Sequence, residues 1–276
     1  MATLYLVGLG PGSIEQMTQR AQQVVRSVDA VVGYGLYVRL VRPLLDNQDV
    51  IRSGMTKEWQ RADEAIELVQ QGKNVALVCS GDSGVYAMAP LVFEIMAERA
   101  LDFNVEVVPG VTAAISCASL VGAPMGHDSC TISLSDLLTP WQVIEKRIEA
   151  AAIADFVITF YNPRSKKRVN QIEIAKDILL KHRSPDTPVA VIDSAYRDEQ
   201  KVQLTTLKDF TQLEFAMSAS VIVGNSNSYR YKNWIVTPRG YQHKYDLDDG
   251  AVKEGQRPGR TLVTEPVKTV ESEVLK

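Results

Sequence analysis

The sequence is poor in the features that mark membrane, metal-binding and nucleic-acid-binding proteins. No apolar run approaches the roughly 20 residues of a membrane-spanning helix, and the first residues lack the charged and apolar regions of a signal peptide. The three cysteines, Cys79, Cys117 and Cys130, show no C-x-x-C spacing, so we expect neither a metal centre nor a disulfide framework. A formal net charge of -3 argues against a basic nucleic-acid-binding surface. We therefore expect a soluble, cytoplasmic protein.

The 276 residues, 45% of them hydrophobic and 23% charged, suffice for two globular domains. Short β-branched runs alternate with longer amphipathic segments up to about Thr237, which predicts an α/β fold with largely parallel sheets. Glycine and proline cluster at residues 122–126. We place a boundary there, giving an N-terminal α/β domain over residues 1–123 and a C-terminal α/β domain over residues 124–245. The polar residues 246–276 are expected to be a poorly ordered tail or a surface arm.

Individual elements follow from the same periodicities. Strands are predicted near residues 3–8, 30–33, 74–79, 104–108, 131–135, 156–161, 189–194, 201–204, 220–224 and 233–237. Helices are predicted near residues 16–27, 59–69, 87–99, 112–121, 140–152 and 168–182. Thr139-Pro140-Trp141-Gln142 is interpreted as a capping box that opens one of these helices.

Three turns, each between a predicted strand and a helix, are rich in small residues. They read Gly8-Leu9-Gly10-Pro11-Gly12, Gly81-Asp82-Ser83-Gly84-Val85-Tyr86 and Pro109-Gly110-Val111-Thr112-Ala113. Glycine lets a ligand approach the main chain closely, and α/β proteins bind ligands at the carboxyl ends of their strands. Each turn also has a simpler interpretation as a tight connection, and Asp82 can instead cap the helix that follows it.

Taken together, the three turns resemble the tetrapyrrole methylases, a family of methyltransferases that use S-adenosylmethionine. The resemblance runs from about Thr3 to Tyr241. Gly122-Ala123-Pro124-Met125-Gly126-His127-Asp128, the stretch from Thr131 to Trp141 and Phe160-Tyr161-Asn162-Pro163-Arg164-Ser165 resemble one branch, the precorrin-3B (or cobalt-precorrin-3) C17-methyltransferases of cobalamin synthesis. Ser83 stands where the family motif usually has proline, and we expect this turn to be looser as a result.

The resemblance implies two α/β domains with the cofactor in a cleft between them, and a homodimer. It implies S-adenosyl-L-methionine as cofactor and S-adenosyl-L-homocysteine as its product. Carried over residue by residue, the implied cofactor contacts are Pro11, Gly81, Asp82, Val85, Thr112, Ala113, Asn162, Ala195 and Gly224. Backbone and small side chains dominate this set, and Asp82 is its charged member.

The implied substrate is an anionic tetrapyrrole, so cations are expected around it. Candidates are Arg39, Arg42, Arg52, Lys57 and the run from Arg164 to Arg168, although such a run also fits a solvated helix start. Tyr34 and Tyr37 are candidates for stacking on the ring or for packing at an interface.

C17 methylation in this branch is coupled to contraction of the macrocycle, which requires proton transfers and stabilisation of an oxyanion. We predict that His127 or Asp128 assists the contraction and that Ser135 contacts the substrate. His127 can equally be a hinge residue bonded to backbone, and Ser135 an ordinary turn residue.

Other functions remain open on sequence grounds. Methylases that act at other carbons share the three turns, so the turns alone do not identify the substrate. A nucleotide-dependent dehydrogenase would need an acidic residue after the second strand, where Tyr34 stands instead. A tetrapyrrole carrier without enzymatic activity would bind the macrocycle but not S-adenosylmethionine.

Overall fold

A computed structural model of the chain describes residues 2–165 and 168–264. The strands are, in chain order, β1 (Thr3–Gly8), β2 (Ala30–Tyr34), β3 (Asp49–Ser53), β4 (Val75–Cys79), β5 (Asn104–Val108), β6 (Gly122–Ala123), β7 (Ser129–Ser133), β8 (Val157–Tyr161), β9 (Pro188–Asp193), β10 (Lys201–Thr206), β11 (Ser220–Val223), β12 (Tyr229–Tyr231) and β13 (Trp234–Val236). The helices are α1 (Gln19–Ser27), α2 (Gly35–Val41), α3 (Glu58–Gln70), α4 (Met88–Glu98), α5 (Ala113–Ser119), α6 (Trp141–Ile153) and α7 (Gln171–Leu180). The predicted α/β fold class is confirmed.

The first sheet is parallel throughout, with the strand order β3-β2-β4-β1-β5. Both of its faces are covered, as expected for a sheet whose central strands β1, β2 and β4 are largely apolar. Leu6 and Leu77 pack with Ile66 of α3 on one face, and Val7 packs with Val24 of α1 on the other. Because β4, β1 and β5 are neighbours, the turns that follow them meet at one edge of the sheet.

The second sheet has the order β10-β9-β11-β8-β7 and is mixed. Only β7 and β8 pair in parallel; β11 is antiparallel to β8 and β9, and β10 is antiparallel to β9. The prediction of largely parallel sheets is therefore wrong here. Residues 194–200, which join β9 to β10, are too few for the crossover of about a dozen residues that parallel neighbours require.

Helix α5 joins the two sheets, because it follows β5 of the first sheet but packs on the second. Its Cys117 lies in a buried cluster with Ile192 of β9 and Ile222 of β11. The opposite face of the second sheet packs against α6 and α7, for example Phe160 against Ile148 and Ile172. A third, three-stranded sheet has the order β12-β13-β6.

The described residues up to Thr237 form one compact unit, and those from Pro238 onward form another. The boundary proposed at residues 123–124 thus stays a proposal. In the second unit Tyr245 pairs with Val252, and the Asp246 amide donates to the Ala251 carbonyl at 2.8 Å. Residues 265–276 of the expected tail lie outside the described residues. Within the described ranges, no helix is long and apolar enough to cross a membrane.

Several element predictions need correction. The strand predicted at 131–135 runs from Ser129 to Ser133. Helix α6 begins at Trp141 without a side-chain cap, so the Thr139 capping box does not form. Strand β3 and helix α2 were not predicted. Asp49 and Arg52 interrupt the apolar pattern of β3, which is possible because β3 is an edge strand with exposed positions.

Candidate functional site

Turn 1 (residues 9–13) follows β1, turn 2 (residues 80–87) follows β4, and the two are joined through their backbones. The Gly10 amide donates to the Gly81 carbonyl at 3.0 Å, and the Gly81 amide donates back to the Gly10 carbonyl at 2.8 Å. Both residues have left-handed φ angles, 70° and 68°. Such angles are strained for residues with a side chain, so glycine is what allows this reciprocal pair.

Turn 3 (residues 109–112) follows β5 and packs directly on the first two turns. A Cβ added to Gly110 would lie 2.1 Å from the Gly81 carbonyl oxygen and 2.6 Å from the carbonyl carbon of Gly8. Backbone therefore touches backbone across three neighbouring strands, and no side chain fits at this position. The three turns that sequence analysis singled out form one continuous surface.

Asp82 ties turn 2 to turn 3. One oxygen of its carboxylate accepts from the Gly84 amide at 2.9 Å, and the other accepts from the Gly110 amide at 3.0 Å. Helix α4 begins at Met88, after Ala87, and has no side-chain cap. The alternative that Asp82 merely caps this helix is therefore wrong.

Ser83 holds turn 2 to the sheet. Its side chain is fully buried, and its hydroxyl donates to the Leu6 carbonyl of β1 at 3.0 Å. A proline at this position has no such donor. The looser turn that we expected from this replacement is not what the structure shows, because a buried hydrogen bond anchors the serine.

Tyr161, at the end of β8, links turn 3 to the second sheet. Its hydroxyl accepts from the Ala114 amide at 2.6 Å and lies 2.7 Å from the Thr112 hydroxyl. Burial raises the pKa of this phenol, so the hydroxyl stays protonated at neutral pH. The Thr112 hydroxyl and the Ala114 amide, which flank the predicted contact Ala113, are thus held by a residue from the other sheet.

Tyr86 makes a second link between the sheets. Its hydroxyl donates to the Thr131 carbonyl at 3.1 Å and accepts from the Ser133 amide at 3.3 Å. Strand β7 is at the edge of its sheet, so a side chain here takes the place of a neighbouring strand. The Tyr86 ring also meets the Tyr161 ring edge-on, with 5.7 Å between centroids.

Asn162 and Ser135 lie together at the carboxyl ends of β8 and β7. The Ser133 hydroxyl oxygen accepts from the Asn162 side-chain amide at 3.1 Å and from the Ser135 backbone amide at 3.2 Å. Asn162 has a left-handed φ of 51°, which turns its side chain back toward β7. Because Tyr86 also bonds to Ser133, this group is connected to turn 2.

Ala195 belongs to the loop after β9, beside a residue that sequence analysis missed. Ala195 packs against the cluster formed by α5 and the second sheet. Arg197 of the same loop reaches turn 1, where its Nε donates to the Pro11 carbonyl at 2.7 Å. One sequence feature could have identified Arg197: it is a cation shortly after a buried strand, at the same edge as Asn162.

The structure does not bring Gly224 to this edge. Strand β11 runs opposite to β8 and β9, so the residue after it lies beside Pro188, at the start of β9. The Gly224 carbonyl accepts from the buried Arg183 at 2.6 Å. The family resemblance implied that Gly224 contacts the cofactor, but the antiparallel pairing of β11 places Gly224 at the opposite edge of the second sheet from Asn162 and Ala195.

His127 and Asp128 also lie away from the turns, just before β7 begins. Ser135 follows the other end of that strand, and β7 alone covers roughly 13 Å of extended chain. The ring Nδ1 of His127 accepts from the Asp128 backbone amide at 2.8 Å, and both side chains are at least half exposed. The three predicted catalytic residues are thus divided between the two ends of β7.

The candidate cations differ in their surroundings. Arg164 donates to the Thr211 carbonyl at 2.6 Å, and Arg168 donates to the Leu134 carbonyl at 2.8 Å, so both stabilise loops of the second sheet. Lys166 and Lys167 lie outside the described residues. The other four candidates, Arg39, Arg42, Arg52 and Lys57, are exposed.

Tyr34 and Tyr37 pack on each other edge-on, with their ring centroids 5.2 Å apart. The Arg61 guanidinium lies 6.0 Å from the Tyr34 ring, and Tyr37 packs against the core of the first sheet. These contacts favour internal packing over stacking on a ligand.

Comparisons with known proteins cover most of the chain. A family model described as Tetrapyrrole (Corrin/Porphyrin) Methylases matches residues 3–211, which include all three turns. The chain is 49% identical over 238 residues to a probable cobalt-factor III C(17)-methyltransferase of Salmonella typhimurium, covering 86% of this chain and 99% of that relative.

Two further similarities point the same way. The chain is 51% identical over 263 residues to a cobalt-factor III methyltransferase of Priestia megaterium; the match covers 94% of this chain but spans only 48% of that relative's length. The crystal structure of the methyltransferase CobJ superposes with a TM-score of 0.81 at 33% identity, covering 86% of this chain and 100% of that one.

Proposed function

The chain belongs to the tetrapyrrole (corrin/porphyrin) methylase family, and from this premise we propose that it methylates C17 of cobalt-factor III in cobalamin biosynthesis, with ring contraction. The observation that carries the proposal is the joining of turns 1, 2 and 3 into one surface at the carboxyl edge of the first sheet. The names of its relatives favour the cobalt-containing substrate over metal-free precorrin-3B.

We propose S-adenosylmethionine as the methyl donor. The edge fits this cofactor because it combines small side chains and backbone with one carboxylate, Asp82, able to attract a cationic ligand. The residues proposed to hold the cofactor are Pro11, Gly81, Asp82, Val85, Thr112, Ala113, Asn162 and Ala195. Gly224 was part of the same prediction, and its place at the opposite edge leaves it without a supporting contact.

When bound, S-adenosylmethionine would supply an electrophilic methyl group for transfer to a ring carbon of the substrate, with S-adenosylhomocysteine as the leaving group. The chain's own part in this step is to hold two ligands in line. Orientation of this kind contributes about 7–11 kcal/mol in favourable cases, and the ring carbon needs no strong base. Rigid turns suit the task, and turn 2 is fixed at Gly81, Asp82, Ser83 and Tyr86.

For ring contraction, Ser135 is the proposed substrate contact, because it lies beside Asn162 at the carboxyl ends of β7 and β8. The role of His127 or Asp128 in contraction stays a prediction. Replacing His127 with alanine tests it: loss of the contracted product with cofactor affinity unchanged supports the role, and normal turnover removes His127 from the mechanism.

We further propose that the enzyme works as a cytoplasmic homodimer, as the family resemblance implies. Sedimentation of the purified chain measures the dimer directly. A monomer at concentrations where the enzyme is active would contradict this part of the proposal.

The proposed reaction is tested by incubating the purified chain with methyl-labelled S-adenosylmethionine and either cobalt-factor III or metal-free precorrin-3B. We expect one labelled methyl group on the cobalt-containing substrate, with nuclear magnetic resonance placing it at C17. Labelling at another carbon would favour a different methylase of the family. Binding of the macrocycle without S-adenosylhomocysteine binding would favour a tetrapyrrole carrier.

A further inference from the structure

Arg197 reaches from the second sheet across turns 1 and 2 of the first. Its Nε donates to the Pro11 carbonyl at 2.7 Å, and its Nη2 donates to the Ser80 hydroxyl at 2.9 Å. Both acceptors are neutral. The side chain therefore lies at the edge where the cofactor and substrate are proposed to meet, with its positive charge uncompensated by either contact.

The chain makes room for this side chain at Gly12. A Cβ at that position would lie 2.4 Å from Cγ and 2.7 Å from Nε of Arg197. Gly12 has no left-handed φ, unlike Gly10, so its backbone does not by itself demand glycine. The absence of a side chain at residue 12 is explained by the arginine that lies over it.

The loop that carries Arg197 is held in an unusual conformation. Ser194 and Tyr196 both have left-handed φ angles, 50° and 58°, which are uncommon for residues other than glycine. The Tyr196 hydroxyl lies 2.7 Å from the Ser119 hydroxyl of α5, and the Tyr196 amide donates to the Gln200 side chain at 2.8 Å. These contacts fix the loop, so the position of Arg197 is determined before any ligand binds.

Arg197 retains an unused donor. Among the described residues, Arg197 makes hydrogen bonds through Nε and Nη2 but none through Nη1, and its guanidinium forms no ion pair with a carboxylate. Arg61, another arginine beside turn 2, differs because contacts to Ser53, Gly54 and Met88 occupy all three of its nitrogens. Burial lowers the pKa of Arg197, and the negative charge of Glu199, which forms no ion pair with the guanidinium, opposes this effect only in part.

We propose that Arg197 binds a carboxylate of the ligand held at turns 1 and 2, through Nη1 and its unpaired charge. This inference rests on the proposed function, because both S-adenosylmethionine and an anionic tetrapyrrole carry carboxylates. Arginine suits the role, since its planar guanidinium can contact the protein through Nε and Nη2 while Nη1 reaches the ligand. Arg197 thereby positions the ligand relative to turn 1 and to the second sheet at once.

The test compares ligands with and without a carboxylate. Calorimetry on the full chain would measure S-adenosylhomocysteine, its carboxylate-free analogue 5′-methylthioadenosine and the polycarboxylate macrocycle uroporphyrin, for the wild type and for Arg197→Gln. If the carboxylate belongs to the cofactor, S-adenosylhomocysteine affinity falls about 10- to 100-fold while 5′-methylthioadenosine affinity is unchanged. If it belongs to the substrate, uroporphyrin affinity falls and both nucleoside affinities stay the same.

Equal affinities of the variant and the wild type for all three ligands would overturn the proposal. So would a parallel loss for all three, which indicates a purely structural contact between the sheets. Gly12→Ala provides a second variant that displaces Arg197 without removing its charge, and it should weaken the same ligand. Exposed Arg147→Gln serves as the matched control. If the wild-type protein binds S-adenosylhomocysteine but transfers no methyl group, the proposed reaction is contradicted. The affinities of the wild type and Arg197→Gln can still be compared in that case, so the two proposals fail separately.

Discussion

At the scale of single residues, Asp82 stabilises the site because its two carboxylate oxygens accept hydrogen bonds from two different turns, turn 2 and turn 3. Replacing it with alanine leaves the Gly84 and Gly110 amides without their acceptor. We predict a loss of about 1–3 kcal/mol in the free energy of unfolding and a fall of about tenfold or more in S-adenosylhomocysteine affinity. Urea unfolding and calorimetry measure the two effects.

The matched control for Asp82 is the exposed Asp102, just before β5. Asp102→Ala should change neither quantity beyond about 0.5 kcal/mol. An Asp82→Ala variant with wild-type cofactor affinity would mean that the link between turns 2 and 3 does not shape the binding site.

Tyr161 offers a second test at this scale, because one hydroxyl joins the two sheets. Tyr161→Phe keeps the ring and removes that hydroxyl from Thr112 and from the Ala114 amide. We predict a loss of about 1–2 kcal/mol in stability together with weaker cofactor binding. Exposed Tyr229→Phe is the control. Undiminished cofactor affinity in Tyr161→Phe would show that turn 3 keeps its shape without the second sheet.

At this scale the sequence predicted three turns after strands, and the structure joins them at one edge of the first sheet. Pro11, Asp82 and Thr112 were named as cofactor contacts from the family resemblance, and that role stays a prediction. Arg197 was missed because its contacts with Pro11 and Ser80 bridge residues more than a hundred positions apart. Nothing in the local pattern near Arg197 reveals that Gly12 leaves space for it.

At the scale of elements, the glycine of turn 3 is the least replaceable contact between strand ends. Gly110→Ala would force a methyl group against the Gly81 carbonyl, and backbone on both sides leaves little freedom to relax. We predict a loss of about 3 kcal/mol or more in the free energy of unfolding, with loss of cofactor binding.

Gly35→Ala is the control for this prediction, because a Cβ at Gly35 meets nothing within 4 Å. It lies at the start of α2, where alanine is the better helix former, so stability should be unchanged or slightly higher. Thermal unfolding compares the two variants. Similar stabilities would contradict the close backbone packing of turns 2 and 3.

Element prediction failed where strand direction mattered. The apolar run of β11 predicts a strand, but apolarity does not distinguish parallel from antiparallel pairing. The family resemblance implied Gly224 as a cofactor contact, and the direction of β11 places it at the other edge of the second sheet. Loop length carried the missing information for β10 alone, because the short connection between β9 and β10 leaves no room for a crossover helix.

At the scale of the whole molecule, the reactivity of the cysteines measures how tightly the cores of the two large sheets are packed. Cys79 and Cys117 are buried, and burial raises the pKa of each thiol to about 11. Since the thiolate is the reactive form, we predict that neither reacts with a disulfide reagent at pH 8 in the folded protein. Both should react once the chain is unfolded in denaturant. Half-buried Cys130 should be the first to react, and mass spectrometry of labelled peptides identifies the order.

The sign of the pH effect follows from the same burial. A thiol with a raised pKa in the folded state stabilises the protein below its unfolded pKa of about 8.5, and this contribution is lost as the pH rises toward 11. Rapid labelling of Cys79 or Cys117 in the native protein at pH 8 would contradict the packing of α5 on the second sheet or of β4 within the first.

We propose that S-adenosylmethionine binds at turns 1, 2 and 3, which Tyr161 and Arg197 tie to the second sheet. A crystal structure of the chain with S-adenosylhomocysteine tests it most directly. We predict that the ligand contacts Pro11, Asp82 and Thr112 at the carboxyl edge of the first sheet. A ligand seated elsewhere, for example beside His127 at the opposite end of β7, would contradict it.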